Sequence, residues 1–441
     1  MTMKLFLVAV SKPDYVVATF ARTWGFRRLA HVLANVATTA ILLSSLALIA
    51  AGASAAERPI AKVIVDPGAE YADSARSWQG IPGVERAPQG RLWVTWYSGD
   101  TGEGDMGNYA MASTSGDDGQ AWSKPIVIQG PTGTRIGDPL PWLDPKGRLW
   151  IFWSQFTKRS AEPGSQDFKA TCAIRTDEPD NARPKWSAPF LVAEGGILFG
   201  KPLVRPDGGW LAPFFVNGKP SWIAETQGKA TGVLLTTDEG NTWRWQGGAS
   251  MPKEIWSFSE ATLAPRRDGS VWTVIRTTQG LYESASSDNG RTWSDPVPMP
   301  AFAGPTTRAH MRRLASGAFL LIYHNSMNAK PRRERLTAWL SDDEGRTWPH
   351  QLLLDERLRV SYPDAVQASD GRIYLAYDHG RYETGEKQVL VSIVREDDIR
   401  AGKIVSPDSV TKLVVNQCSA HGNHADLRRE AEAAKKKASP K

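Results

Sequence analysis

The sequence predicts an all-β protein, a six-bladed β-propeller. Three observations predict it: a composition rich in turn formers, a turn octet that recurs, and six aromatic strand-like runs at near-regular spacing. The 441 residues include 39 Gly, 29 Pro and 18 Trp, and 41% are hydrophobic. That apolar share is enough for a large core. Helical bundles avoid so many Gly and Pro, whereas short strands joined by tight turns require them.

The octet is Ser/Thr-x-Asp-x-Gly-x-x-Trp. It runs from Ser115 to Trp122, Thr236 to Trp243, Ser286 to Trp293 and Ser341 to Trp348, and a degenerate form leads from Thr176-Asp177 to Trp186. Its chemistry is that of a hairpin turn. The hydroxyl and carboxylate cap backbone N–H groups, Gly takes the left-handed position, and the Trp folds back between strands. Asp117, Asp238, Asp288 and Asp343 are therefore assigned to turns and not to catalysis. The second series starts at Arg91, Arg148, Trp210, Val271, Ala318 and Arg372, about every 47 to 62 residues. Four short strands per interval make a propeller blade, and six blades close without exposed edges. The last interval lacks an octet, so residues 61–70 are expected to supply its closing strand.

The propeller is assigned to residues 57–420. Before it, Arg27-Arg28, an apolar run from Ala40 to Ala51 and small residues at Ala53-Ser54-Ala55-Ala56 form the charged, apolar, small-residue order of a secretory signal. Residues 1–56 are thus an N-terminal extension and signal, and the mature protein is expected to be periplasmic or secreted, without a membrane span. Residues 421–441 form a charged tail, a solvated helix or disorder.

The net charge of +6 reflects partly that tail and the N-terminal arginines, and the remainder suits an acidic small substrate rather than nucleic acid. Only Cys172 and Cys418 are present, which excludes a disulfide framework and a cysteine-rich zinc site. The seven His show no metal-ligand spacing. No cofactor or metal is expected, and the protein is expected to be a monomer.

The octets resemble the Asp-boxes of the sialidase superfamily, over nearly all of residues 70–400. The resemblance implies a glycosidase for a terminal acidic sugar, and three segments carry its site. Ser259-Glu260 opens a strand and Arg276 closes the next one ahead of an octet, which implies Glu260 as partner base and Arg276 as a carboxylate-binding arginine. Arg333, in Arg332-Arg333-Glu334-Arg335-Leu336, is similar to a second such arginine, with Arg332 and Arg335 as alternative registers. Tyr362, in Ser361-Tyr362-Pro363-Asp364, is similar to the catalytic tyrosine.

The physical chemistry of this set is coherent. A sugar carboxylate repels a carboxylate nucleophile, so a neutral phenol attacks better once a base takes its proton. Planar guanidinium groups hold the carboxylate bidentately. Two positions depart from the family pattern. Gly80, in Gly80-Ile81-Pro82, stands where the family's first arginine is expected, and Arg135 is the candidate replacement. Asp105 is the candidate acid/base, with Glu103 beside it as the other option. Two other functions stay open. One is a propeller hydrolase or lyase for a different acidic sugar, such as a uronic acid, with His310, His324 or His379 as base. The other is a non-catalytic glycan-binding propeller whose Trp-rich strands stack on sugar rings.

Overall fold

The computed structural model describes residues 60–100, 102–158, 167–216, 226, 231–381 and 387–418. The segment assigned as a secretory signal and the charged tail lie outside these residues. Among the described residues, no helix is long and apolar enough to cross a membrane.

Six antiparallel sheets follow one another along the chain, each with its main strands hydrogen-bonded in sequence order. This is the six-bladed propeller. All six aromatic runs are the second strands of their blades: Leu92–Gly99, Leu149–Thr157, Trp210–Val216, Val271–Thr277, Phe319–His324 and Ile373–His379. They are almost entirely buried because they lie mid-blade with a neighbouring blade on each face.

The octets join third to fourth strands, and their bonding repeats. In the first, the Gly119 N–H donates to Ser115 Oγ (2.9 Å), Ser115 Oγ donates to Asp117 (2.6 Å), and Trp122 Nε1 donates to the Gly119 carbonyl (3.1 Å). The turn glycine has two reasons to be glycine. Gly240 and Gly345 have φ of 83° and 85°. A Cβ on either would meet Trp150 or Trp272 of the preceding blade at 2.6 and 2.4 Å.

One expectation is corrected. Lys62–Ile64 does not complete the last blade; it pairs with Ile126–Gln129 as a fifth, outermost strand of the first. The last blade builds its own fourth strand, Val410–Cys418. Blades one and six are therefore joined by side chains. The Ile81 and Val84 N–H groups donate to Asp378 (2.8 Å) and Asp364 (2.9 Å), and Gln79 Nε2 donates to the Lys387 carbonyl (2.7 Å). Cys172 and Cys418 are both buried and unbonded to each other.

The first strand of each blade is innermost, and in four of the six it is irregular. Pairing to the second strand slips between Gly80 and Gly83, Gly137 and Leu140, Trp256 and Ala261, and Ser361 and Asp364. At each slip a non-glycine residue is left-handed: Ile81 (55°), Asp138 (49°), Phe258 and Ser259 (53° and 42°), and Tyr362 (54°). A proline follows in three of the four, tolerable because a bulge frees it from the ladder. Such bulges re-aim side chains toward the axis, at a cost of about 1–3 kcal/mol for each left-handed residue.

Candidate active site

Three of the sequence-assigned residues converge. Tyr362 Oη donates to Glu260 Oε1 (3.1 Å). One nitrogen of Arg276 donates to Glu260 Oε2 (2.7 Å) and to Tyr362 Oη (2.9 Å). Glu260 lies within the bulge of the fourth blade, directly after its two left-handed residues, Arg276 nearly ends the strand paired with it, and Tyr362 occupies the bulge of the sixth. All three are buried. Burial, and then the charge of Glu260, pushes the Tyr362 phenol up to about 12, against the opposing pull of Arg276 and Arg381. The phenol is thus neutral, with its proton already directed at a carboxylate.

Arg333 joins them. Its guanidinium carbon lies 5.3 Å from the centre of the Tyr362 ring, and Arg333 donates to the Thr306 carbonyl (3.0 Å). Arg276 Nε reaches the Thr306 hydroxyl at 3.3 Å, so one residue steadies both arginines.

Two further arginines, Arg381 and Arg308, lie over the same ring at 4.5 and 5.3 Å. Arg381 explains Gly80. A Cβ at position 80 would meet Arg381 Cδ at 2.8 Å and Asp378 Oδ2 at 3.0 Å. The space that a first-blade arginine would enter is filled by an arginine from the end of the last blade's second strand. Arg135, on the second blade's first strand, instead acts by its charge on Asp138 and on Tyr97 of the first blade, and it lines a cavity of about 200 Å³ with Gly104 and Ser154.

The acids of this side are distributed as follows. Glu103 lies 3.7 Å from Arg381. Asp105 is partly exposed in the same loop, its N–H turned to the Gly102 carbonyl at 3.4 Å. Asp138, at the second-blade bulge, accepts from Ser154 Oγ (2.8 Å). Its carboxyl is raised by burial, with the charges of Glu260 and Glu103 adding to it and Arg135 opposing. The histidines are engaged elsewhere. His310 bonds to Asp364 (3.0 Å), His324 to the Glu334 carbonyl (3.0 Å), and His379 to Arg357 (3.2 Å).

The sequence held a signal for these positions that the octets obscure, a small residue, a variable one and proline, in four of the six blades. Gly80-Ile81-Pro82, Gly137-Asp138-Pro139, Gly200-Lys201-Pro202 and Ser361-Tyr362-Pro363 follow it, and Ser259-Glu260-Ala261 is its variant. Lys201, the middle residue of the third-blade triplet, ties three blades together. It donates to the Val84 and Pro141 carbonyls (2.6 and 2.8 Å) and lies 3.0 and 3.3 Å from Glu85 and Asp364. Against a burial that would raise it, Lys201 and His310 hold the Asp364 carboxyl well below the usual range. A larger cavity of about 650 Å³, lined by Glu85, Lys201, His310 and Arg312 among others, shares no lining residue with the Tyr362 cluster.

Comparison with known proteins bears on the fold and the family. Over 279 residues the chain is 25% identical to a sialidase of Bacteroides fragilis, covering 55% of this chain and 49% of that protein. Over 185 residues it is 25% identical to an anhydrosialidase of Macrobdella decora, covering 36% and 22%. The chain thus spans about half or less of these relatives' lengths. Its fold matches the intramolecular trans-sialidase of Ruminococcus gnavus at a TM-score of 0.58 and 15% identity, over 77% of this chain and 98% of that one. Residues 90–375, well over half the chain, match the BNR repeat-like domain, and the chain belongs to that family, within the sialidase superfamily.

Proposed function

We propose that this protein is a retaining exo-glycosidase of the sialidase type that releases a terminal acidic sugar, sialic acid or a related one, from glycans. The observation that carries the reading is the Tyr362–Glu260–Arg276 cluster, in which a neutral phenol is hydrogen-bonded to a carboxylate under a guanidinium. A glycan binder has no use for a buried, proton-directed phenol among arginines.

In this reading Arg276, Arg333 and Arg381 receive the sugar carboxylate. Tyr362 Oη attacks the anomeric carbon while its proton passes to Glu260, and the glycosidic C–O bond breaks as an acid protonates the leaving oxygen. Water then releases the sugar from the tyrosine through the reverse proton path. The acid comes from the side carrying Asp105, Glu103 and Asp138, and burial favours the protonated form of Asp138. With an exported N-terminus, the substrates are periplasmic or extracellular glycans. The histidine-based lyase gains no support, since all three candidate histidines are bonded outside the Tyr362 cluster.

The test is hydrolysis of a fluorogenic sialoside. Tyr362→Phe is expected to lose turnover by about a thousandfold or more with the melting curve retained. Full activity in that variant removes the reading.

A further inference from the structure

At the end of the axis away from Tyr362, the far ends of the blades' first strands enclose a cavity of about 650 Å³. Glu85, Leu143, Leu263, Arg312 and Val366 each bring one such strand end to its wall. We propose that this cavity binds a small hydroxy acid on an apolar frame, with its carboxylate on Arg312 and its hydroxyl on His310. The site is independent of the glycosidase reading, since it shares no residue with the Tyr362 cluster.

Arg312 supplies the donors. It is enclosed by protein yet keeps exposed surface, as a side chain on a cavity wall does. Among the described residues its one hydrogen bond is to the Ala365 carbonyl (3.2 Å), and its Nε meets no acceptor. The carboxylates whose charges reach it, Glu85 and Asp364, are ion-paired with Lys201 at 3.0 and 3.3 Å. A guanidinium does not shed its proton on burial, so it calls for a planar anionic acceptor.

His310 supplies the acceptor. Its Nδ1 lies 3.0 Å from Asp364. Against its burial, Lys201 keeps the Asp364 carboxyl ionised, so the shared proton sits on Nδ1. Burial of the ring also disfavours a second proton. Nε2 is therefore left with a lone pair, and it has no partner among the described residues. A ligand hydroxyl satisfies it.

His310 and Arg312 are two apart in one strand, so they share a face and stand about 7 Å apart along it. Trp142, Leu203, Leu263 and Val366 supply apolar wall. A cavity of this size, with few polar groups converging on an apolar lining, is the usual form of a small-molecule site. The turns that join first to second strands, two of which line this cavity, all lie within the described residues.

The experiment measures binding of 4-hydroxybenzoate to the full-length protein by calorimetry, with 4-hydroxybenzamide and benzoate beside it. The acid is expected to bind about tenfold tighter than the amide, which lacks the charge, and about threefold tighter than benzoate, which lacks the hydroxyl. Arg312→Gln is expected to weaken the acid about tenfold and to remove its advantage over the amide, while Arg312→Lys keeps part of it. Arg333→Gln, on the Tyr362 face, is expected to leave all three affinities as they are. The comparison of the three probes in Arg333→Gln leaves Arg312 intact, so it tests the site even where Arg312→Gln does not fold. Equal affinities for acid and amide, an affinity indifferent to Arg312→Gln, or a loss confined to Arg333→Gln overturns the proposal. Failure of all three probes to bind leaves the cavity to water and overturns it as well.

Discussion

The rim and the axis of this propeller use aspartate in opposite ways. At the rim, Asp288 and Asp343 sit in their turns with hydroxyl and N–H donors around each carboxylate. Asp343, held first by the Thr347 hydroxyl and N–H, falls to about 2; Asp288 also reaches about 2, although its slight burial works the other way. At the axis, Asp138 is buried and accepts from the Ser154 hydroxyl, and its carboxyl rises. The rim repeats because every copy solves the same solvation problem. The axis repeats only its backbone device. The equivalent bulges carry Ile81, Asp138, Glu260 and Tyr362, because chemistry needs a different side chain from each blade.

The largest effect that sharpens this contrast concerns Arg381. Arg381→Ala is expected to lower kcat/KM for an acidic substrate about a hundredfold or more, because a buried charge-assisted contact is lost where no solvent replaces it. Gly80→Arg in that background is expected to recover part of the loss. A side chain at position 80 enters the volume that Arg381 vacates. Unchanged kinetics in Arg381→Ala would mean that the axial arginines act as packing, and the contrast between rim and axis would break.

The acids come next in size. Asp138→Asn is expected to reduce kcat/KM on a natural glycoside about tenfold or more, and far less on an aryl glycoside whose leaving group needs no proton. The same change is expected to stabilise the fold at neutral pH. The folded pKa of Asp138 is raised, so its contribution is fully present below the unfolded value of about 4 and is lost as pH rises through the folded one. Asn escapes that loss, so the gain in melting temperature should be present at pH 7 and shrink toward pH 4. A lower melting temperature at pH 7 would show that the Ser154 contact outweighs the burial penalty.

What the sequence made legible follows the same division. Octets and second strands are set by local turn chemistry and alternation, so blade number and strand order could be read directly. Tyr362, Glu260, Arg276 and Arg333 were legible through segments that keep family context. Arg381 was not, because its role depends on which blade fills a volume that Gly80 leaves empty, a relation between residues 301 positions apart. Asp138 was overlooked for a related reason. Its neighbours Gly137 and Pro139 form part of the recurring small-x-Pro triplet, but the varying middle residue hides the repeat from a search for identities. The first blade's fifth strand was misassigned because three residues, Lys62–Ile64, pair equally well with any exposed edge. Only the last blade's own fourth strand decides which edge is free.

The smallest expected effect lies at the rim and tests the other half of the contrast. Asp343→Ala removes the acceptor for the Thr347 N–H and hydroxyl and for Ser341 Oγ, all on the solvent side of one turn. The melting temperature at pH 7 should fall by no more than about 3 °C, because the rest of the blade still buries Trp348 and Trp272. The depressed folded pKa means that this contribution is present above pH 4 or so and is lost as pH falls through about 2, so the difference from the parent should close in acid. Turnover should not move, because among the described residues no hydrogen bond connects this turn to Tyr362. A variant that melts normally yet loses activity would show that rim turns set the spacing of the axial side chains, and that the two regions are one device rather than two.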